Sequence, residues 1–224
     1  GGPGQAARRV LAGTVEAILL YGVQAWGNYA SEEVWKELER PYHRTRTRVI
    51  AGYSSMAVTA AGIISGMPPL DLRGRELALR SEGASGREAR QSILNEWLKR
   101  WDNGQGSTWT RRVLREPRMW LERRHGEVEA CHAYALSGHG PFGEYERQRK
   151  FVECGRCPSC YSVPDDVEHA VFGCTRWRVL VEGFERGGRT WTPEDLVSGL
   201  LASPEEWREA TNLLRLIFGG RRMN

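Results

Sequence analysis

The chain has 224 residues, 40% of them hydrophobic and 27% charged, so it is long enough to bury a core without the disulfides that small domains need. Its five cysteines are odd in number and four are crowded together, which excludes a secreted disulfide framework and favours metal ligands in a reducing compartment, the nucleus or the cytoplasm. The net charge is only +4, but of the 32 basic residues three are lysines, which leaves 29 arginines. This bias favours nucleic acid as a partner, because the guanidinium matches phosphate geometry; a GC-rich genome would produce the same bias.

The first predicted element is a helix over residues 6–28. Glutamate and glycines interrupt its apolar run, so it falls short of a membrane span and we expect no membrane partner. The chain begins without Met or a secretory leader pattern, so we expect a soluble chain that begins within a longer protein. The expected buried face has the three-and-four spacing of a helix: Leu11, Val15, Ile18, Leu19, Val23 and Trp26.

A second helix is predicted to begin after Ser31, an N-cap residue followed by two glutamates. Pro41 should end or kink this helix, because proline lacks the amide hydrogen, and a new turn should run on to Ile50. Arginines in this region are spaced to share one positive face, which is either a solvated surface or a contact for the nucleic-acid backbone. The candidate nucleic-acid-binding residues are Arg40, Arg44, Arg46 and Arg48.

Two further helices are predicted before the middle of the chain. The first is short and covers residues 57–65, and the second is long, over residues 70–101, with a weak point at the small residues 83–86. Trp97 and Trp101 lie on one face of the long helix. A helical pair of this kind is more often part of a core than a base-stacking platform.

The clearest linker is the segment 102–107, which is rich in turn-forming residues and has no apolar anchor. We therefore predict three regions: a helical region at 1–101, a linker with connector helices at 102–150, and a cysteine-rich region with C-terminal helices at 151–224. No segment alternates convincingly between apolar and polar residues, so the predicted fold is mainly α.

Helix starts are well marked near the C-terminus. Thr192 and Ser203 are each followed by proline and then by acidic residues, which is the pattern of a hydroxyl cap with proline at the first helical position. Apolar faces are predicted for the helix before these caps and for the last helix. Their residues are Trp177, Leu180, Val181 and Phe184 for the first, and Trp207, Ala210, Leu214 and Ile217 for the second.

Four residues have the spacing of a structural zinc site. Cys157 and Cys160 form a Cys-x2-Cys turn, and His169 and Cys174 follow at a distance that places them near one another on a helical turn. Three thiolates and one imidazole form a closed tetrahedral site with no position left for a catalytic water. The sequence therefore predicts a structural zinc ion at these four residues.

The remaining cysteines and the glycine-flanked histidine have simpler interpretations. Cys154 forms a second, overlapping Cys-x2-Cys with Cys157; we prefer the pair with Cys160, because Pro158 and Ser159 favour its turn, and leave Cys154 as a spare thiol. Cys131 is expected to be a buried small hydrophobic residue. His139 lies between two glycines and is more easily explained as a turn residue bonded to backbone than as a metal ligand.

The helix that carries Leu-Leu-Tyr-Gly at 19–22 and Trp26 is one of several segments, the last at 174–177, that resemble the C-terminal part of the reverse transcriptase polyproteins of non-LTR retrotransposons. The helix carrying Leu-Leu-Tyr-Gly at 19–22, with its tryptophan, is similar to the segment that leads from the palm into the thumb of these enzymes. The closest likeness is to the arthropod elements that insert into ribosomal RNA genes. The segments that carry the resemblance lie at 8–11, 18–26, 46–53, 57–66, 69–70, 124–128, 136–143, 166–170 and 174–177.

The resemblance implies the tail of an RNA-directed DNA polymerase: a helical thumb, a helical connector and a small zinc knuckle with C-terminal helices. The thumb of such enzymes grips template and primer, and the knuckle helps to hold RNA or target DNA. The polymerase aspartates and their magnesium belong to a palm upstream, so the resemblance implies no catalytic residue here and RNA, DNA and that palm as partners. This chain departs from the family pattern at Pro41 and at Cys154.

Two alternatives stay open. Related elements attach a nuclease to a similar knuckle, and Asp165 with a carboxylate such as Glu182 would be its candidate metal ligands; no lysine follows Lys150, although such centres use one. The second alternative is a zinc-stabilised protein-interaction module, on which the basic surface would only be solvated.

Overall fold

The computed structural model describes residues 2–185, 188 and 191–221. The described residues contain helices and no β-strand, which confirms the mainly α fold class. The α-helices, in chain order, are α1 (Gln5–Leu19), α2 (Val23–Trp26), α3 (Glu32–Val49), α4 (Val58–Ser65), α5 (Leu70–Ser81), α6 (Gly86–Asn103), α7 (Thr108–Val113), α8 (Pro117–Leu121), α9 (Ala130–Ser137), α10 (Gly143–Gln148), α11 (Arg178–Glu185), α12 (Leu196–Ala202) and α13 (Pro204–Gly219).

The N-terminal half is a bundle organised around α3, which packs against α1, α4 and α5, while α5 pairs with α6. Glu16 on α1 links three of these helices. Its carboxylate accepts a hydrogen bond from the Tyr42 hydroxyl at 2.7 Å and another from Arg73 Nε at 2.7 Å. A half-buried carboxylate needs such partners to offset its lost hydration. The arrangement fixes the orientation of α1 on α3 and α5.

The predicted helix over residues 6–28 is broken, and its predicted buried face is partly wrong. Gly22 has a left-handed backbone (φ 65°) and separates α1 from α2, a conformation that glycine adopts without steric cost. Leu11 and Ile18 are 65% and 70% exposed, whereas Ala12 is buried. Val23 is buried and Leu19 and Trp26 pack against the core, which confirms that part of the predicted face. Around Leu11 and Ile18 the core side is instead the one that carries Ala12 and Glu16.

Pro41 does not end α3, which runs from Glu32 to Val49. The predicted end of the helix at Pro41 is therefore wrong. Proline removes one intrahelical hydrogen bond, but side chains on both sides of it are tied to neighbouring helices. Glu39 accepts a hydrogen bond from the amide of Leu70 at 3.1 Å, and Tyr42 is bonded to Glu16. Tertiary contacts on both halves hold the helix together across the proline.

The long helix predicted over residues 70–101 is two helices, α5 and α6, which break at the predicted weak point. Ser85 starts α6 with a capping box, in which its hydroxyl accepts from Glu88 N and the Glu88 carboxylate accepts from Ser85 N. The two helices fold back on one another as a hairpin. Trp97 and Trp101 are both buried, which confirms that they belong to the core.

The C-terminal half is built on α9 and α13, which pack together. His132 on α9 is buried, contacts Thr211 at 2.9 Å and stacks on Trp207 with 4.7 Å between ring centroids. Helix α4 of the N-terminal half packs on α8 and α9, and the indole of Trp120 donates to the carbonyl of Ile64. Core packing is thus continuous across the predicted boundary after residue 101.

The last predicted helix starts differ in outcome. Ser203 caps α13, since its hydroxyl accepts from Glu206 N at 3.1 Å, which confirms that prediction. Thr192 instead accepts from Asp195 N at 3.2 Å and closes a turn, and α12 begins only at Leu196. The predicted apolar face of α13 is buried, as expected.

No single helix among the described residues has the length and hydropathy of a membrane span. Helix α1 together with residues 23–29 reaches that composition, but the two parts are bent by 43° relative to one another.

Candidate metal centre and arginine groove

The Cys-x2-Cys turn is shaped by backbone hydrogen bonds before any metal is considered. The amide of Cys157 donates to the carbonyl of Ser162 at 2.9 Å, and the amide of Tyr161 donates back to Cys157 O at 2.9 Å. Tyr161 has a left-handed backbone (φ 61°), which reverses the chain after Cys160. This tight loop brings the two sulfurs to the same side.

The other two ligand candidates come from a single π-helical turn, His169–Gly173, with Cys174 directly after it. In a π-helix, residues five apart lie one above the other along the axis. His169 and Cys174 have this separation, so the turn brings their side chains together. The turn begins where the Asp166 carboxylate accepts from the amide of His169 at 2.8 Å.

The structure brings all four predicted residues into one cluster, with their ligand atoms within 4.8 Å of one another. Cys157 Sγ and Cys174 Sγ are 3.8 Å apart, and Cys160 Sγ is 3.2 Å from His169 Nε2. A zinc–sulfur bond of about 2.3 Å in a tetrahedron requires sulfurs roughly 3.8 Å apart. The cluster could therefore hold a metal ion such as zinc with little rearrangement.

The thiols of the cluster differ in their tendency to ionise. Burial opposes ionisation of Cys160, but hydrogen bonds from Ser162 and the neighbouring thiols outweigh it and lower its pKa to about 6. Burial raises the pKa of Cys174 to about 12. Cys160 is thus readily available as a thiolate ligand, whereas a bound dication must displace the proton of Cys174.

Cys154, Cys131 and His139 lie outside the cluster, as predicted. Cys154 is exposed and Cys131 is buried. His139 Nδ1 lies 3.0 Å from the carbonyl of Ser137, so this histidine belongs to a turn.

Arg46 does not belong to the predicted positive face of α3, and this prediction is corrected. Its side chain is 1% exposed, it binds the Glu39 carboxylate and the carbonyl of Pro68, and its guanidinium lies 4.4 Å from the centre of the Tyr42 ring. Glu39, Tyr42 and Arg46 are three and four residues apart, so they share the buried side of the helix. The buried arginine neutralises the half-buried Glu39 carboxylate and is not available to phosphate.

The other three predicted arginines are exposed and spaced by four residues, so they share the outer side of α3. Arg40 pairs with Glu37 at 2.8 Å. Arg44 and Arg48 have no carboxylate within salt-bridge distance among the described residues. Their role in binding nucleic acid stays a prediction.

A groove between α1 and the end of α3 was not predicted. It has a volume of about 520 Å³, an apolar floor and arginines at its edge, and no acidic side chain lines it. Arg8 is the member that the sequence pattern did not suggest, because it lies on a different helix from the α3 arginines. The lining residues are Arg8, Leu11, Ala12, Val15, Thr45, Arg48, Val49, Ala51 and Gly52.

The two carboxylates considered for a nuclease are arranged for other purposes. Asp165 is fully buried, accepts from the amide of Gly143 at 2.8 Å and pairs with Arg221. Glu182 lies on the exposed side of α11 and pairs with Arg178 at 2.8 Å. A hydrolytic centre needs carboxylates that share a solvent-accessible ion and water. The enclosed Asp165 does not provide that, so the geometry gives the nuclease alternative no support.

No protein-family model, curated protein or solved structure matches this chain.

Proposed function

We propose that this chain is a nucleic-acid-binding segment without a catalytic site, the C-terminal part of an RNA-directed DNA polymerase of a non-LTR retrotransposon. The proposal combines the sequence resemblance with the fold and with the two sites described above. The partners are RNA and DNA, and the reaction itself belongs to an upstream polymerase palm with its magnesium. We propose the nucleus and the cytoplasm as its location, because the crowded cysteines favour a reducing compartment.

The groove between α1 and α3 is the observation that carries the proposal. Arg8 and Arg48 lie at its edge, and Arg44 is one helical turn before Arg48 on the exposed side of α3. Guanidinium groups free of carboxylate partners bind phosphate without first breaking an ion pair. The apolar floor, which includes Leu11 and Val15, is suited to sugar and base surfaces. The groove therefore matches an extended polyanion with apolar faces.

Zinc is the ion we propose for the Cys157, Cys160, His169 and Cys174 cluster. Thiolate and imidazole ligands in a tetrahedral arrangement favour zinc over magnesium or calcium, which prefer oxygen ligands. Three sulfurs and one nitrogen leave no open position, so the ion is structural. Its role is to hold the loop over residues 154–162 against the turn at His169–Gly173 as one rigid unit.

An interaction with protein is the competing function, and one observation favours it. The apolar side chains of Val10, Ile18 and Tyr21, on and just after α1 and outside the groove lining, are all more than half exposed. Exposed apolar side chains on one helix are typical of a surface that another protein covers. In the parent polymerase we propose that the upstream palm covers them, whereas a zinc-stabilised interaction module would use them for an independent partner.

Charge reversal on α3 tests the proposed function. The double variant Arg44→Glu, Arg48→Glu should weaken binding of labelled single-stranded RNA and duplex DNA at least tenfold, since each change replaces an attraction to phosphate by a repulsion. Fluorescence anisotropy at fixed ionic strength measures the affinities. The control is the double variant Arg80→Glu, Arg87→Glu. It changes the net charge by the same amount at two exposed positions away from the groove, Arg80 on α5 and Arg87 on α6.

The control variant should bind nearly as well as the parent chain. Equal losses in the two variants would mean that only net charge matters and would refute the groove as the site. Unchanged binding by the α3 variant, together with a stable protein complex that depends on Val10 and Ile18, would favour the interaction module instead.

A further inference from the structure

Arg221, directly after α13, extends into the metal centre from the opposite end of the sequence. Its side chain is fully buried. Nη1 lies 3.7 Å from Cys157 Sγ, Nε donates to the carbonyl of Pro141 at 3.2 Å, and Nη2 pairs with the Asp165 carboxylate. A planar guanidinium can donate in three directions at once. This arginine therefore contacts the candidate ligand Cys157, the loop before α10 at Pro141, and Asp165 in the segment between Cys160 and His169.

Asp165 fixes the guanidinium in this orientation. Its Oδ2 accepts from both Arg221 and the amide of Gly143, and its own amide donates to the carbonyl of Gly155 at 2.9 Å. Its Oδ1 is buried without a hydrogen-bond partner among the described residues. An ion pair this deeply enclosed costs desolvation free energy.

The backbone before Arg221 is equally constrained. A side-chain carbon added at Gly220 would lie 2.6 Å from the Trp177 ring, and Trp177 follows the ligand Cys174 by three residues. The end of α13 is therefore in close contact with the segment that supplies Cys174. Both the backbone and the side chain of the 220–221 segment converge on the metal centre.

We propose that Arg221 is a positioning residue of the metal centre. Asp165 holds its guanidinium in place, and Arg221 donates a hydrogen bond to the metal-bound thiolate of Cys157. The inference rests on the proposed metal site. A dication with three thiolates and a neutral imidazole has a net charge of −1, and in a buried site this charge needs a nearby donor. Arg221 supplies that donor, and through it the docking of α13 depends on metal occupancy.

The test measures metal binding itself. Arg221→Gln should weaken zinc affinity on the order of tenfold or more, as removal of outer-shell partners does in other metal sites, measured by competition with a chromophoric chelator. In the cobalt-substituted protein, loss of the hydrogen bond raises the energy of the sulfur electrons, so the thiolate-to-cobalt charge-transfer band should move to lower energy. A purely structural role would not shift this band.

Arg215→Gln is the matched control, because Arg215 is also on α13 and makes two hydrogen bonds to a carboxylate, that of the partly exposed Glu129. It should leave both the affinity and the cobalt band unchanged. If Arg221→Gln does not fold, Arg221→Lys is measured in its place. Lysine keeps the charge, but its donors share one nitrogen and cannot reach the three acceptors that Nε, Nη1 and Nη2 of arginine reach. A severalfold weaker affinity and a shifted band are expected.

Parent-like affinity and an unshifted band in the Arg221 variant would overturn the proposal, as would an absence of metal binding by the parent chain. These outcomes are separate from the test of nucleic-acid binding. A chain whose zinc affinity depends on Arg221 but which does not bind RNA or DNA would refute the proposed function and leave the role of Arg221 supported.

Discussion

His132 allows a sharp test of the C-terminal core. Its Nδ1 accepts from the amide of Glu129 at 3.0 Å, and its Nε2 faces the Thr211 hydroxyl at 2.9 Å. A proton added to Nδ1 would point at the amide hydrogen of Glu129, and the ring is buried against Trp207. Burial accordingly lowers the pKa of His132 to about 4. The folded chain therefore holds this histidine neutral, and acid should unfold the protein through it.

The magnitude follows from the difference between the two states. The pKa is about 6.5 in the unfolded chain and about 4 in the folded one, so the stabilisation is fully present above pH 6.5 and is lost as the pH falls towards 4, by about 3 kcal/mol in total. Urea unfolding from about pH 7.5 to about pH 4.5 should show about 2.5 kcal/mol of this loss. His132→Gln, which cannot titrate, should lack that component.

Thr211→Val is the matched control for this prediction. It removes the hydroxyl partner and should lower the free energy of unfolding by about 1 kcal/mol at every pH, but it leaves a buried histidine and hence the pH dependence. Groups elsewhere titrate alike in all three proteins and cancel in the comparison. Equal pH dependence in the parent chain and in His132→Gln would refute the reasoning.

Two further predictions concern packing and the metal ligands. Gly126→Ala should lower the free energy of unfolding in urea by about 3 kcal/mol or more, because the Gly126 backbone is left-handed (φ 84°) and the added carbon would clash with the Trp207 ring. The control, Gly199→Ala, has open space around it and should change the free energy of unfolding by less than about 1 kcal/mol in either direction. Similar losses in both variants would contradict the packing argument. In chelator competition, Cys154→Ser should keep the zinc affinity of the parent chain, whereas Cys160→Ser should lose most of it. A loss of affinity in Cys154→Ser but not in Cys160→Ser would show that Cys154 and Cys157, the overlapping Cys-x2-Cys, form the metal-binding turn.

The metal cluster could be predicted from the sequence because all its information is local. Its four residues lie within one short segment, and two of them are joined by a turn whose residues favour it. The exact turn at His169 was not predictable, since π-helical turns have no clear sequence pattern. The five-residue separation of His169 and Cys174 nevertheless required some turn of this kind.

The arginine surface was only partly predictable, because helical spacing does not say which side of a helix faces the core. Arg40, Arg44 and Arg48 lie on the exposed side, but Arg46 pairs with Glu39 inside the bundle. The same ambiguity misplaced the buried side of α1. There the core contact is made by a glutamate bonded to two other helices, which a search for apolar residues does not find.

Contacts between distant segments were outside the reach of sequence patterns. Arg221 and Asp165 are 56 residues apart, and neither belongs to a motif that suggests a partner. Pro41 is the opposite case, since its local effect is well known but packing on both sides of it decided the outcome. Local rules succeeded where the interaction closes within a turn and failed where a neighbouring helix determines it.

The most direct test of the account is the salt dependence of nucleic-acid binding. Arg8 and Arg48 line the groove and Arg44 lies one helical turn before Arg48. Each of these three guanidinium groups should release about one counterion from duplex DNA, so the logarithm of the association constant should fall with the logarithm of salt concentration with a slope of about −2.7 or steeper. A slope near zero, or no binding at low salt, would contradict the proposal that these arginines bind the nucleic-acid backbone.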